Sequence, residues 1–89
     1  MAKIVCTPKL ENIGPLEPRA YPGSTVDAVL DAAEKDYPRL KKYILDDQGR
    51  VRKHVAIFIN GELRPREQVL KYAIGGGDEI YIMQALSGG

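Results

Sequence analysis

Short stretches of this chain alternate between apolar and outward-facing residues in the way that β-strands do. Residues 3–7 begin the pattern, with Ile4 and Cys6 predicted on one side and their neighbours on the other. Residues 16–21 are predicted to return as a second strand. Pro18 places that strand at a sheet edge, because proline cannot donate a hydrogen bond to a neighbouring strand.

The clearest element is a helix, predicted over residues 25–37. A hydroxyl group of Ser24 or Thr25 can cap its start, and Pro38 ends it because the residue before a proline avoids helical geometry. One apolar stripe follows the helix at spacings of three and four residues: Val26, Val29, Leu30, Ala33 and Tyr37. A short second helix is predicted over residues 39–45.

The second half of the chain is predicted to form strands joined by glycine turns. Residues 55–59 are β-branched and aromatic, which is typical of an interior strand. Asn60-Gly61 is a strong hairpin signal, so residues 62–64 form a brief returning strand. A loop or helical turn follows over residues 69–74, and a glycine-rich turn leads into a last strand at residues 80–83.

These elements predict an α+β fold, in which a mixed sheet of four or five strands packs on one main helix. The helix stripe and the strand alternation each supply one apolar face. The predicted core contains Val26, Val29, Leu30, Ala33, Ile57, Ile59 and either Ile80 or Ile82. We expect one domain over residues 1–89, with a flexible tail over residues 84–89.

Composition narrows the possible functions. Thirteen basic and twelve acidic residues give a net charge of +1, so neither a nucleic acid nor a membrane is an expected partner. No apolar run approaches the roughly 18 residues of a membrane span, and one cysteine cannot form an intramolecular disulfide, so we expect a cytoplasmic protein. A domain of 89 residues has a modest core, and we expect no enzyme activity from this chain alone.

Three features with possible chemistry are interpreted as structural. Cys6 is predicted to be a small buried strand residue rather than a redox thiol. His54 lacks a second histidine or a nearby cysteine, and we expect no metal site and no bound cofactor. The glycines at 75–77 precede a strand and acidic residues, which favours a turn with positive φ over a phosphate loop. The basic residues at 50–54 remain a candidate partner contact.

The tail is the strongest functional signal. A packed strand that continues into Ser87-Gly88-Gly89 suggests a reactive or transferable terminus at Gly89. Residues without a Cβ can thread a narrow channel and let another backbone approach closely. The alternative is a frayed terminus without a function.

The order of these motifs resembles the β-grasp, ubiquitin-like sulfur carriers of the ThiS/MoaD family. The resemblance spans nearly the whole chain and is carried by Ser24-Thr25-Val26, Leu30, Tyr37-Pro38, residues 55–61, Gly77-Asp78-Glu79-Ile80 and Ser87-Gly88-Gly89. Molybdopterin-type carriers usually have a proline where this chain has Gln84-Ala85-Leu86. The long segment 38–54 makes the layout closest to CysO-like carriers, which supply sulfur for cysteine synthesis.

The resemblance implies that a separate activating enzyme uses ATP and Mg to adenylate Gly89. Sulfur attack would then leave a thiocarboxylate, which donates sulfur to a synthase in a cysteine, molybdopterin or thiamin-type pathway. The chain would be a cosubstrate, or at most the small subunit of a synthase. Gly88 would help the tail to enter the activating site. The expected partner-binding residues are Phe58, Met83, Ala85, Leu86 and Ser87.

Some alternatives stay open at this point. Phe58 or Met83 could point into the core instead of lying on a docking surface. A ubiquitin-like modifier would use the same activated Gly89 to form isopeptides with lysines. A β-grasp binding module would make the tail incidental, so that removing the two glycines would leave partner affinity unchanged.

Overall fold

A computed structural model describes residues 1–84 of the chain. Its elements, in chain order, are β1 (Ala2–Cys6), β2 (Arg19–Tyr21), α1 (Val26–Ala33), α2 (Leu40–Ile44), β3 (Val55–Ile59), β4 (Glu62–Leu63) and β5 (Glu79–Gln84). Two single turns of 3-10 helix lie at Pro8–Leu10 and Val69–Lys71. The predicted tail residues Ala85, Leu86, Ser87, Gly88 and Gly89 lie outside the described residues.

The five strands form one mixed sheet in the order β2-β1-β5-β3-β4. β5 lies at the centre, where it pairs in parallel with β1 and antiparallel with β3. β2 lies at an edge, as Pro18 predicts. This arrangement confirms the predicted α+β sheet and gives it five strands.

α1 begins where the sequence predicts but ends earlier. The Thr25 hydroxyl accepts a hydrogen bond from the backbone N–H of Ala28 at 3.1 Å, which caps the helix. Beyond Ala33 the backbone tightens, and Glu34 N–H donates to the carbonyl of Asp31, only three residues back. The predicted end at Tyr37 is therefore wrong, because tight turns replace the last helical turn before Pro38.

The predicted core is confirmed. Val26, Val29, Leu30 and Ala33 are fully buried, Ile57 and Ile59 are 2% exposed, and Ile80 and Ile82 are both fully buried. Tyr37, the last residue of the predicted stripe, is only partly buried. The segment between α1 and β3 adds core residues that its sequence pattern does not predict. Leu40, Ile44 and Val51 are each no more than 1% exposed and belong to the same apolar cluster.

Four of the five strands differ from their predicted boundaries, and β4 and the start of β5 differ by a single residue. β2 is half the predicted length, because the chain reaches the sheet only after Pro18. β1 covers residues 2–6 instead of 3–7. Gln84, predicted as the first tail residue, is the last residue of β5, where it pairs with Val55.

The two predicted glycine turns have the expected backbone. Asn60 and Gly61 have φ values of 51° and 86° and connect β3 to β4, which matches the hairpin turn that Asn-Gly favours. Gly77 has a φ of 88° at the entrance to β5. Within residues 1–84, no helix has the length and apolar content to cross a membrane.

Candidate functional site: the open sheet face and the end of β5

One face of the sheet packs on the helices, and the opposite face carries a row of apolar side chains across four strands. Val5 pairs with Tyr81, Tyr81 with Phe58, and Phe58 with Leu63. Directly opposed residues on neighbouring strands share a face, so these side chains form a continuous row. We call this surface, with Ala56 and Met83 beside the row, the open face.

The aromatic pair at the middle of the open face is in direct contact. The ring centroids of Phe58 and Tyr81 are 6.2 Å apart, with an interplanar angle of 63°, an edge-to-face arrangement that is favourable for aromatic rings. Both rings are half-buried, whereas Leu63 at the sheet edge is 61% exposed. The open face therefore presents apolar surface around a fixed aromatic centre.

Met83 lies nearer to the end of β5 than the aromatic pair. It pairs with Ala56, and both side chains are half-buried on the open face. Neither Phe58 nor Met83 points into the core, because the buried residues of β3 and β5 are their alternate neighbours. Their role in docking stays a prediction.

The sequence analysis predicted Phe58 and Met83 on a docking surface but not their neighbours on the open face, which include Tyr81 and Leu63. The sequence contains a signal for each of these two residues. Tyr81 is two residues before Met83 and must share its face in a strand. A two-residue turn at Asn60-Gly61 sets Phe58 opposite Leu63.

The end of β5 lies beside the start of β3. Gln84 pairs with Val55, and the turn before Val55 is closed by its N–H, which donates to the carbonyl of Arg52 at 3.1 Å. Lys53 and His54 occupy the middle of that turn and are exposed. The basic residues singled out in the sequence are thus neighbours of the last described residue of β5.

Arg66 joins these residues from a distant part of the chain. Its Nη1 donates a hydrogen bond to the carbonyl of Val51 at 3.0 Å, which orients the guanidinium group. An open cavity of about 390 Å³ is lined by Arg66, by Asp46 and Arg50, and by the residues of the turn at 52–54. The backbone N–H of Arg50, followed by that of Gln48, lowers the pKa of Asp46 by donating to its carboxylate.

The surroundings of the remaining candidate groups indicate structural roles. Cys6 is 2% exposed, and burial raises the pKa of its thiol from 9.0 to about 12, which keeps it protonated and unreactive at neutral pH. Gly75 N–H donates to the Asp78 carboxylate at 2.8 Å, so this backbone donor is already used within the turn. Among residues 1–84, no group of three or more histidine, cysteine or acidic side chains is placed to hold a metal ion.

A five-stranded mixed sheet wrapped on one main helix, with the C-terminal strand at its centre, defines a ubiquitin-like β-grasp protein. The model of the ThiS family matches residues 15–89, and the chain belongs to that family. A comparison with curated protein sequences gave no match.

Solved structures share the fold over almost the entire chain. CysO in the Amycolatopsis orientalis BexX/CysO complex has a TM-score of 0.84 and 19% identity, with all of both chains covered. Mycobacterium tuberculosis CysO has a TM-score of 0.82 and 22% identity, covering 97% of this chain and 100% of that one. The small archaeal modifier protein 1 of Methanosarcina acetivorans has a TM-score of 0.77 and 26% identity, covering 99% and 95%.

These findings define the protein at the level of its class. It is a member of a family of ubiquitin-fold sulfur carriers and modifiers, small proteins that generally lack catalytic activity of their own.

Proposed function

We propose that this chain is a sulfur carrier, activated by adenylation at Gly89 and converted there to a thiocarboxylate that donates sulfur in biosynthesis. The observation that carries the proposal is the ThiS family match, which extends over residues 15–89 and so includes the final Gly88-Gly89. The described structure adds a rigid support, because β5, which leads into those residues, is held between two strands.

The chemistry follows from the properties of a carboxylate. A C-terminal carboxylate is ionised at neutral pH, with a pKa near 3.3 to 3.7, and is a poor acyl donor until its oxygen becomes a better leaving group. Its attack on the α-phosphate of ATP releases pyrophosphate and forms an acyl-adenylate. Attack by hydrosulfide on the acyl carbon then expels AMP and leaves the thiocarboxylate.

We propose that the adenylation step belongs to a separate ATP- and Mg-dependent activating enzyme, and that a synthase accepts the sulfur. The complex of CysO with BexX is an instance of such a carrier bound to a partner. The open face supports this assignment, because apolar surface rimmed by polar residues is typical of a docking site. On this proposal Phe58 and Met83 contact the partner, together with Ala85, Leu86 and Ser87. The acceptor pathway is of the cysteine, molybdopterin or thiamin type.

Mass spectrometry of the reacted chain tests this function. The purified protein, incubated with its activating enzyme, ATP, Mg and sulfide, should exchange one oxygen for sulfur within the C-terminal peptide. A variant lacking Gly89 should show no exchange while its thermal stability stays near that of the full chain. If the full chain forms no acyl-adenylate, or if the shortened chain still gains sulfur, the carrier function is wrong.

A second function is favoured by one comparison. The Methanosarcina acetivorans relative, 26% identical, is named a modifier protein, and the same activated Gly89 could acylate a lysine side chain. Conjugates of this chain on cellular proteins, linked through lysine and absent when Gly89 is removed, would support the modifier function. A free thiocarboxylate without conjugates would support the carrier function alone.

A further inference from the structure

Basic side chains gather where β5 ends. Arg52, Lys53 and His54 immediately precede β3, whose first residue pairs with the last described residue of β5. Arg66 joins them from the segment after β4 and lines the same cavity. We call these four residues the basic cluster.

The chain neutralises this charge only in part. Among the described residues, Asp46 is the one carboxylate that lines that cavity. It accepts hydrogen bonds from two backbone N–H groups and lies 3.6 Å from Nε of Arg50. Arg66 approaches Glu67 no closer than 3.9 Å. Within residues 1–84, Arg52 and Lys53 make no ion pair. The cluster therefore leaves positive charge available to a partner.

An open depression of about 400 Å³ connects the basic cluster to the open face. Lys53 and Arg66 contribute to its lining from the cluster, and Ala56 and Leu63 contribute from the open face. Since Ala56 pairs with Met83, a partner that covers Met83 would also reach the cluster. The two surfaces therefore form one continuous docking region beside the end of β5.

We propose that the basic cluster receives an acidic surface of the activating enzyme, next to the site that takes the tail. This inference rests on the proposed carrier function, because it assumes an activating enzyme. Charges of opposite sign raise the rate of encounter and fix its orientation more than they raise the final affinity. The open face then supplies apolar contact, and the cluster aligns the carrier so that its last residues enter the activating site.

The surroundings of the cluster favour a protein partner over a nucleic acid. The adjoining depression is lined mostly by carbon, which suits an apolar side chain flanked by carboxylates. The net charge of the whole chain is only +1, so the attraction is confined to this end of the sheet.

Steady-state ATP–pyrophosphate exchange by the activating enzyme, measured against carrier concentration, tests the inference. Arg52→Glu combined with Lys53→Glu should raise the KM for the carrier by about tenfold at low ionic strength with little change in kcat. The increase should shrink near 1 M salt, where the screening length falls to about 3 Å. Arg52→Gln combined with Lys53→Gln should give a smaller increase in KM. This variant replaces the glutamate variant in the test if the glutamate variant folds poorly.

Lys35→Glu combined with Arg39→Glu is the matched control. Both residues are exposed and follow α1 on the helix side of the sheet, and the pair changes the net charge by the same amount. This variant should keep KM within about twofold of the unsubstituted chain, because its charges lie outside the docking region. Thermal unfolding of each variant checks that the fold is retained.

The outcomes separate the two proposals. If the unsubstituted chain is activated but the Arg52/Lys53 glutamate variant and the Lys35/Arg39 control have the same KM, the basic cluster is not a docking surface. The carrier function then still stands. A fall in kcat alone, or an effect that is independent of salt, also overturns the docking role. If the unsubstituted chain is not activated, the carrier function fails and this inference fails with it.

Discussion

The side-chain amide of Asn60 donates a hydrogen bond to the carboxylate of Asp78 at 3.0 Å, and its carbonyl oxygen accepts one from the N–H of Glu79 at 2.9 Å. These bonds join the β3–β4 turn to the entrance of β5. Gly75 N–H donates to the second Asp78 oxygen at 2.8 Å. One asparagine and one aspartate thus connect the two glycine turns that precede and follow residues 62–74.

Replacement of Asn60 by glycine should lower stability in a pH-dependent way. Glycine keeps the positive φ of 51° at this position but removes the amide donor. That donor, followed by the Gly75 N–H, lowers the pKa of Asp78 below 3.8. A lowered carboxyl pKa stabilises the fold at any pH above the ordinary carboxyl pKa. This contribution is lost as the pH falls through the lowered pKa.

Urea unfolding at neutral pH and well below pH 3.8 checks this prediction. The stability difference between the parent chain and Asn60→Gly should narrow in acid, leaving the pH-independent costs of the lost bond to the Glu79 N–H and of the added backbone entropy. Asn60→Asp is the complementary variant, because a second carboxylate beside Asp78 should destabilise more at neutral pH and recover in acid. A difference that stays constant with pH would contradict a role for Asp78 and assign the effect to backbone conformation and the bond to Glu79.

Leu30→Ala should cost about 2 to 5 kcal/mol of unfolding free energy, because the side chain is fully buried in the core. Denaturant unfolding monitored by circular dichroism gives the value. Leu63→Ala is the matched control, since the same atoms are removed from a side chain that is 61% exposed. The control should cost well under 1 kcal/mol; comparable losses at the two sites would contradict the assigned core.

Met83→Glu should reduce carrier activation by about tenfold or more, because a charge near the centre of an apolar interface removes contact and leaves a carboxylate to be desolvated. The rate of acyl-adenylate formation measures the effect. Ala20→Glu adds the same charge on the same sheet face at the β2 edge, where Ala20 pairs with Lys3, and should have little effect. An unchanged rate for Met83→Glu would locate the docking surface elsewhere.

Gly88→Val should block activation without destabilising the fold. A β-branched side chain would collide with a channel shaped for bare backbone and would restrict the extended chain. Gly75→Ala is the control, because a Cβ at that position meets no atom within 4 Å and its φ is not positive. Sulfur incorporation by mass spectrometry and thermal unfolding together distinguish a blocked channel from a damaged core; normal incorporation into Gly88→Val would contradict the threading argument.

Alkaline pH should destabilise the protein through Cys6. Burial raises the pKa of its thiol from 9.0 to about 12, so the folded state holds a proton that the unfolded state releases. The stabilising contribution is fully present below pH 9 and is lost as the pH rises towards 12. Cys6→Ala should show a shallower fall in stability over this range, and the native thiol should react with alkylating reagents only after unfolding.

Caps, turns and the two faces of a strand are predicted well from the sequence, because each is determined by residues that lie close together in the chain. Thr25 caps α1, Asn60-Gly61 forms the hairpin, and the alternation in β3 and β5 identifies both the core and the open face. The end of α1 could not be predicted from the sequence. Pro38 sets the last position that the helix can reach, but it does not specify how far before that position the helix ends.

Long-range relationships carry no comparable signal. The parallel pairing of β1 with β5 joins residues more than 70 positions apart, and no periodicity in either strand predicts its partner. Arg66 meets the turn at 52–54 only because the hairpin and the loop after it fold back. Leu40 and Ile44 lie on one side of the predicted short helix, but a helix of this length does not indicate what that side packs against, and Val51 lies outside the helix.

The central position of β5 also has a consequence for biosynthesis. Chains grow from the N-terminus, so the β1–β2 and β3–β4 pairs are made before the strand that lies between them. The sheet stays divided into two halves until Glu79–Gln84 inserts between them. A chain that ends before β5 cannot close the core, so we expect truncated products to be degraded by proteases more readily than the full chain.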